Sequence, residues 1–144
     1  MSRVSDVLRG KGSKVSTISP DAPVSELLAM LAEYNIGAVV VVSGDSVVGI
    51  VSERDVVRGM HRESGTLLTT AVGDIMSSTV VTCVPEDDVD HLMRTMTERR
   101  FRHVPVLSGG KLAGIVSIGD VVKLRIGELE DERAHLHSYL AAGS

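Results

Sequence analysis

Residues 15–60, VSTISPDAPVSELLAMLAEYNIGAVVVVSGDSVVGIVSERDVVRGM, recur 65 positions later as residues 80–125, VVTCVPEDDVDHLMRTMTERRFRHVPVLSGGKLAGIVSIGDVVKLR. The stretches align without a gap, and 17 of 46 positions are identical. The identities gather in Ser43-Gly44 over Ser108-Gly109, Gly49-Ile50-Val51-Ser52 over Gly114-Ile115-Val116-Ser117, and Asp55-Val56-Val57 over Asp120-Val121-Val122. A prefix repeats too, Val4-Ser5-Asp6-Val7-Leu8 and Val72-Gly73-Asp74-Ile75-Met76, spaced three residues further out in the first copy. Such self-similarity marks one supersecondary unit used twice.

Each copy reads in the same order. A β-branched run (15–18; 80–83) stops at Pro20 or Pro85, which cannot continue a central strand. Acidic residues then mark a helix start, Asp21 ahead of Pro23 and Glu86-Asp87-Asp88 in the second copy. Val24, Leu27, Leu28, Leu31 and Tyr34 follow at helical spacing, as do Val89, Leu92, Met93 and Met96. Strands at 38–42 and 47–51 are joined by Ser43-Gly44-Asp45-Ser46, and their counterparts by Ser108-Gly109-Gly110-Lys111, so each pair predicts a hairpin. A second helix is expected from Arg54–Asp55 and again from Gly119–Asp120. The class is α/β (α+β): two tandem β-α-β-β-α motifs, six short strands in all, plus a C-terminal helix. Neither copy buries much core alone, which predicts a pseudo-two-fold pair. In chain order, residues 1–72 make the first motif with its prefix and linker, 73–125 the second, and 126–144 the tail.

Composition narrows the function. At 144 residues the chain suits one compact domain, and 43% apolar content with 23 Val excludes disorder. Only 2% aromatic residues and a net charge of −4 argue against nucleic acid, which asks for stacking rings and a basic surface. The apolar run at 36–42 is too short to span a bilayer, and the N-terminus lacks a signal peptide's apolar region. The lone Cys83 permits no internal disulfide and suits a reducing compartment, so a cytoplasmic location is expected. The five histidines show no metal-ligand spacing, and no catalytic constellation is visible. The expectation is a binding module, not an enzyme, with no metal. Gly10-Lys11-Gly12-Ser13-Lys14 lacks the spacing of a phosphate-binding P-loop. It reads either as a mobile basic linker or as a loop closing over a dinucleotide's phosphates.

The Gly-apolar-apolar-Ser-x-x-Asp stretches at 49–55 and 114–120, the Arg102-His103-Val104-Pro105-Val106 strand opening and the Asp74-Ile75-Met76 prefix together resemble the CBS-domain family. The resemblance covers residues 4 to about 125, and the chain also looks like the stand-alone CBS pairs. It implies a disc-like module with a cleft between the sheets, which binds AMP, ADP, ATP, S-adenosylmethionine or NAD, and which pairs as a homodimer. By family position an adenine lies against Thr17, Ile18 and Ser19, or Thr82, Cys83 and Val84, and against the openings of the next strands at Gly37 and Ala38, or Arg102, His103 and Pro105.

The residue chemistry agrees. Asp55 and Asp120 stand three residues after Ser52 and Ser117, where a carboxylate can accept both ribose hydroxyls. Ile118 follows Ser117, and helix-start N–H groups favour a phosphate. Gly49 and Gly114 would allow close approach of backbone or ligand. A purely structural reading also stands: Asp after a strand is a common helix cap. The copies differ in charge. Arg99, Arg100, Arg102 and His103 replace Tyr34, Asn35, Gly37 and Ala38, so the Asp120 site is expected to dominate affinity, with Arg54 reaching in from its neighbour. Alternatively, Arg99 and Arg100 simply form a solvated helix end. With so few rings, the adenine should rest on aliphatic contacts. In the tail, Ile126, Leu129, Arg133, Leu136 and Leu140 form a stripe that either packs on its own domain or serves a dimer. The leading expectation is a regulatory sensor of adenine nucleotides acting on a protein not identifiable from sequence. The alternative is a ligand-free dimeric scaffold whose cleft residues are structural.

Overall fold

The computed structural model describes residues 2–12 and 14–143; Met1, Ser13 and Ser144 lie outside the described residues. The two hairpins are built alike. β2 (Ala38–Ser43) and β3 (Ser46–Ser52) pair antiparallel, as do β4 (His103–Ser108) and β5 (Lys111–Ser117). Gly109 and Gly110 both take positive φ at their turn, a conformation side chains resist. Register slips between Val41 and Val42 and at the aligned place between Val106 and Leu107. A bulge bends the strand that carries it, so both ribbons bend at one equivalent position.

The helices follow the repeat. α2 (Val24–Tyr34) and α4 (Val89–Arg99) each end on a left-handed residue, Asn35 and Arg100. α3 (Glu53–Arg62) and α5 (Ile118–Gly143) start directly from the ends of β3 and β5, a residue or two earlier than the sequence suggested. The expected break before the tail does not occur. No proline interrupts residues 118–143, and Gly127 alone does not stop a helix, so α5 and the tail are one element.

One expected strand is lost. β1 (Thr17–Ile18) pairs parallel with β2, but at 80–83 only a single bridge forms, Cys83 to Val106. The alignment supplies the reason. Val40 N–H donates to Ser16 O at 3.4 Å, whereas its counterpart Pro105 has no N–H to offer. The second copy therefore keeps only Cys83 N–H to Pro105 O (3.0 Å) and Leu107 N–H to Cys83 O (2.8 Å). Five strands form among the described residues, not six.

The cores explain why the copies stay together. Val24, Leu27, Val39, Val41 and Val51 build the first core, joined by Leu67, Val72 and Ile75 from the linker. Val89, Leu92, Met96, Val104 and Val116 build the second, joined by Val4 and Val7 of α1 (Val4–Lys11). The prefixes are thus exchanged: the first lies in the second core and the second in the first. Equivalent backbone bonds tie both down, Val4 N–H to Asp87 O (2.9 Å) and Val72 N–H to Ala22 O (2.8 Å). In chain order the prefix at 4–8 belongs with residues 1–72, but its apolar side chains are buried with the second copy.

This exchange also assigns Gly49 and Gly114. A Cβ at Gly49 would stand 2.5 Å from Met76 Sδ and 2.8 Å from Ser77 O, and one at Gly114 would stand 2.7 Å from Leu8 Cδ2. Each glycine seats a prefix side chain; the close approach expected for backbone or ligand is made by protein.

Candidate functional site

Each Asp is first of all a helix cap. Asp55 Oδ2 accepts from Ser52 N–H (2.8 Å) and Ser52 Oγ (3.1 Å). Asp120 Oδ2 accepts from Ser117 N–H (2.9 Å), while Asp120 N–H donates to Ser117 Oγ (3.1 Å). Glu53 N–H donates to Gly37 O and Ile118 N–H to Arg102 O, at 3.0 and 2.9 Å. The helix starts are therefore largely satisfied from within and offer fewer free N–H groups than expected.

The two Asp then part company. Lys11 Nζ donates to Asp120 Oδ2 at 2.6 Å and to Ile115 O at 2.9 Å. Lys11 is the last residue of α1, not part of a mobile linker. Aligning the two prefixes puts Thr79 where the first has Lys11, so Asp55 faces no such cation. Burial pushes the Asp120 carboxyl up, but the Lys11 ammonium and the Ser117 donors outweigh it and hold the carboxyl below its usual range. Among the described residues Asp55 makes no ion pair and its Oδ1 no hydrogen bond.

A cleft of about 360 Å³ opens at Asp55. Its first-copy wall is Gly37, Ala38, Ile50, Ser52, Arg54 and Asp55, with Glu53 and Arg58 at the side. Its opposite wall is Arg100, Phe101, Arg102 and His103, and Ser77 sits between. Seven expected residues meet here: Gly37, Ala38, Ser52, Arg54, Asp55, Arg102 and His103. Of the basic residues expected to serve Asp120, Arg100, Arg102 and His103 also line the cleft at Asp55, because the start of β4 abuts the start of β2; His103 ring atoms lie 3.7 Å from a Cβ placed at Gly37. Burial, together with Lys11 and Arg102, pushes the His103 imidazole below its usual range against the pull of Asp120 and Glu53, so it is neutral near pH 7.

The other eight stand elsewhere. Ile18 and Cys83 bury their side chains in the two cores, and burial, with Asp87 nearby, pushes the Cys83 thiol up to about 12, far from a nucleophile. Thr17 and Thr82 are exposed, Pro105 is buried, and Ile118 packs on the second core. Ser117 and Asp120 cap α5 beside Lys11. Sequence reasoning missed Ile50, Glu53, Arg58, Ser77 and Phe101. Arg58 was legible, one turn after Arg54 on the same helix face. The chain's single Phe, Phe101, lines the cleft, with the Arg99 guanidinium 5.4 Å from its ring centroid.

The electrostatics of the cleft favour an anion. Arg54, Arg58, Arg100 and Arg102 face Glu53 and Asp55, and none of the four makes an ion pair among the described residues. One carboxylate with a spare oxygen and four unpaired guanidiniums suit a ligand that carries vicinal hydroxyls and a phosphate. No helix among the described residues is long and apolar enough to cross a membrane.

Comparison with known proteins locates the arrangement. The CBS-domain family model matches residues 4–62 and 72–127. The chain is 34% identical to the mitochondrial CBS domain-containing protein CBSX3 of Arabidopsis thaliana, over 97% of this chain and 72% of that one. Among solved structures, a CBS-domain-containing protein of Agrobacterium tumefaciens is 44% identical, superposes with a TM-score of 0.83, and is covered over 99% of its length by 86% of this chain. CBSX2 in complex with AMP shares the fold at 24% identity and a TM-score of 0.72, with 88% of this chain covering 98% of that one. A CBS pair in complex with 5′-methylthioadenosine and S-adenosylmethionine does so at 23% identity and 0.79, with 89% covering 98%.

Proposed function

The chain belongs to the CBS-domain family of regulatory modules, and on that footing we propose that it senses an adenine nucleotide in the cleft between Asp55 and residues 100–103. The observation that carries the reading is the pairing of an uncommitted Asp55 carboxylate with four unpaired arginines in one cleft. Asp55 accepts the ribose hydroxyls, the arginines hold the phosphate, and Phe101 with Ile50 gives the base an apolar wall. Two family members in complex with adenosine compounds support the ligand class. The cleft volume lies near the lower end of small-molecule sites, which favours AMP over the larger NAD.

The site preference reverses the one read from sequence. Lys11 already neutralises Asp120, so the nucleotide takes the Asp55 side. We read the cleft as a binding site and not an active site, in a cytoplasmic protein that works as a homodimer on a regulated partner. Nucleotide binding shifts that partner by preferring one packing of the two copies over another. A thermal-shift panel tests the reading, because a ligand that binds only the folded state raises Tm. AMP is expected to give the largest rise among AMP, ADP, ATP, NAD and S-adenosylmethionine. A flat panel would favour the ligand-free scaffold, and turnover of any ligand would make the chain an enzyme.

A further inference from the structure

α5 is 26 residues long, yet its buried residue, Val121, lies in its first turn. Val121 is buried, Leu124 and Glu128 are partly buried, and every described residue from 129 onward is exposed. An exposed stretch of helix such as 129–140 is marginal in water by itself, so its apolar residues call for a partner. The exposed apolar residues repeat as a seam: Val122, Ile126, Leu129, Leu136 and Leu140, with Arg133 in the one gap. Their exposures are 47%, 52%, 59%, 58% and 60%. The steps alternate four and three, which sets Ile126, Arg133 and Leu140 at a and Val122, Leu129 and Leu136 at d of a heptad. At 3.6 residues per turn this seam lies opposite Val121 and Leu124, so it points away from the body.

We propose that this seam binds the same seam of a second copy as a parallel two-stranded coiled coil, which specifies how the homodimer of the preceding reading forms. The flanking charges select both partner and direction. In the parallel register Glu132 at g meets the partner's His137 at e, and Arg133 reaches the partner's Glu132, while Arg125 stays engaged with Asp90 and Glu128 of its own chain. The antiparallel register that overlaps the whole seam sets Glu130 against the partner's Glu130 and Glu132 against the partner's Glu132, like charges in both places. A single charged residue at a costs some stability and fixes register.

Sedimentation equilibrium of the full chain is expected to give twice the 15.3 kDa chain mass, and the double substitution Leu129→Glu with Leu136→Glu to return it to one. That variant alters no core residue, so its body should stay folded and keep the AMP response. Loss of AMP binding in the wild type as well would strike the nucleotide reading and leave the pairing intact. Direction is read from Leu136→Cys, which on oxidation should link covalently to the same position of its partner; the buried Cys83 does not compete. A monomeric wild type, a dimer that survives the double substitution, or an oxidised Leu136→Cys chain that stays unlinked would overturn the proposal.

Discussion

Replacing Asp55 with Ala is expected to weaken AMP binding about tenfold to hundredfold, whereas Asp120→Ala should leave it within about twofold. A hydrogen bond to a charged group contributes roughly 1.5–3 kcal/mol, and each 1.4 kcal/mol is a factor of ten. Asp55 is only half-buried, so the lower figure applies to each of two ribose bonds. The comparison of the two variants carries its own control. Both aspartates cap a helix through the preceding Ser, so both substitutions remove the same cap, at about 1 kcal/mol of stability each. What differs is Lys11, which sits on Asp120 and has no equivalent at Asp55. Calorimetric titration of both variants checks this, and equal losses would mean that the two half-sites are equivalent.

Leu67→Ala should cost roughly 2–5 kcal/mol of folding stability, while its neighbour Leu68→Ala should stay within about 0.5 kcal/mol. Both lie between the copies, where a passive linker would tolerate either change. Leu67, however, is 2% exposed and Leu68 52%. Leu67 packs against Gly59, where a Cβ would stand 2.7 Å from Leu67 Cδ1, and belongs to the first core together with Val72 and Ile75. Truncating it leaves a void that the surrounding valines cannot close, since their β-branched side chains have little freedom to move. Urea unfolding of both variants reads the difference. A small effect at Leu67 would mean that the linker is dispensable to the first core.

Much of this architecture is written locally and in duplicate. The turns at Gly44 and Gly109, the helices after Ser52 and Ser117, and the apolar spacing of α2 and α4 each follow from a few adjacent residues, and each appears twice. What was hidden depends on distant pairings. Periodicity shows that Val4, Val7, Val72 and Ile75 are to be buried, but not in which core, so the exchange of prefixes stayed invisible. The missing strand was legible in principle, because Pro105 stands where Val40 must donate a hydrogen bond. Lys11 reads as one more basic residue among glycines until folding brings it across 109 positions to Asp120. Proximity along the chain assigns the basic cluster to Asp120, whereas folding brings Arg100, Arg102 and His103 to the cleft at Asp55 as well. Phe101 was overlooked for its rarity, since a single ring carries no pattern.

The most direct test of the nucleotide cleft is a calorimetric titration of AMP into the unmodified chain. One AMP per chain, with the affinity lowered about tenfold to hundredfold in Asp55→Ala and kept within about twofold in Asp120→Ala, is the predicted result. No heat in the unmodified chain, or heat that disappears only with Asp120→Ala, would contradict it.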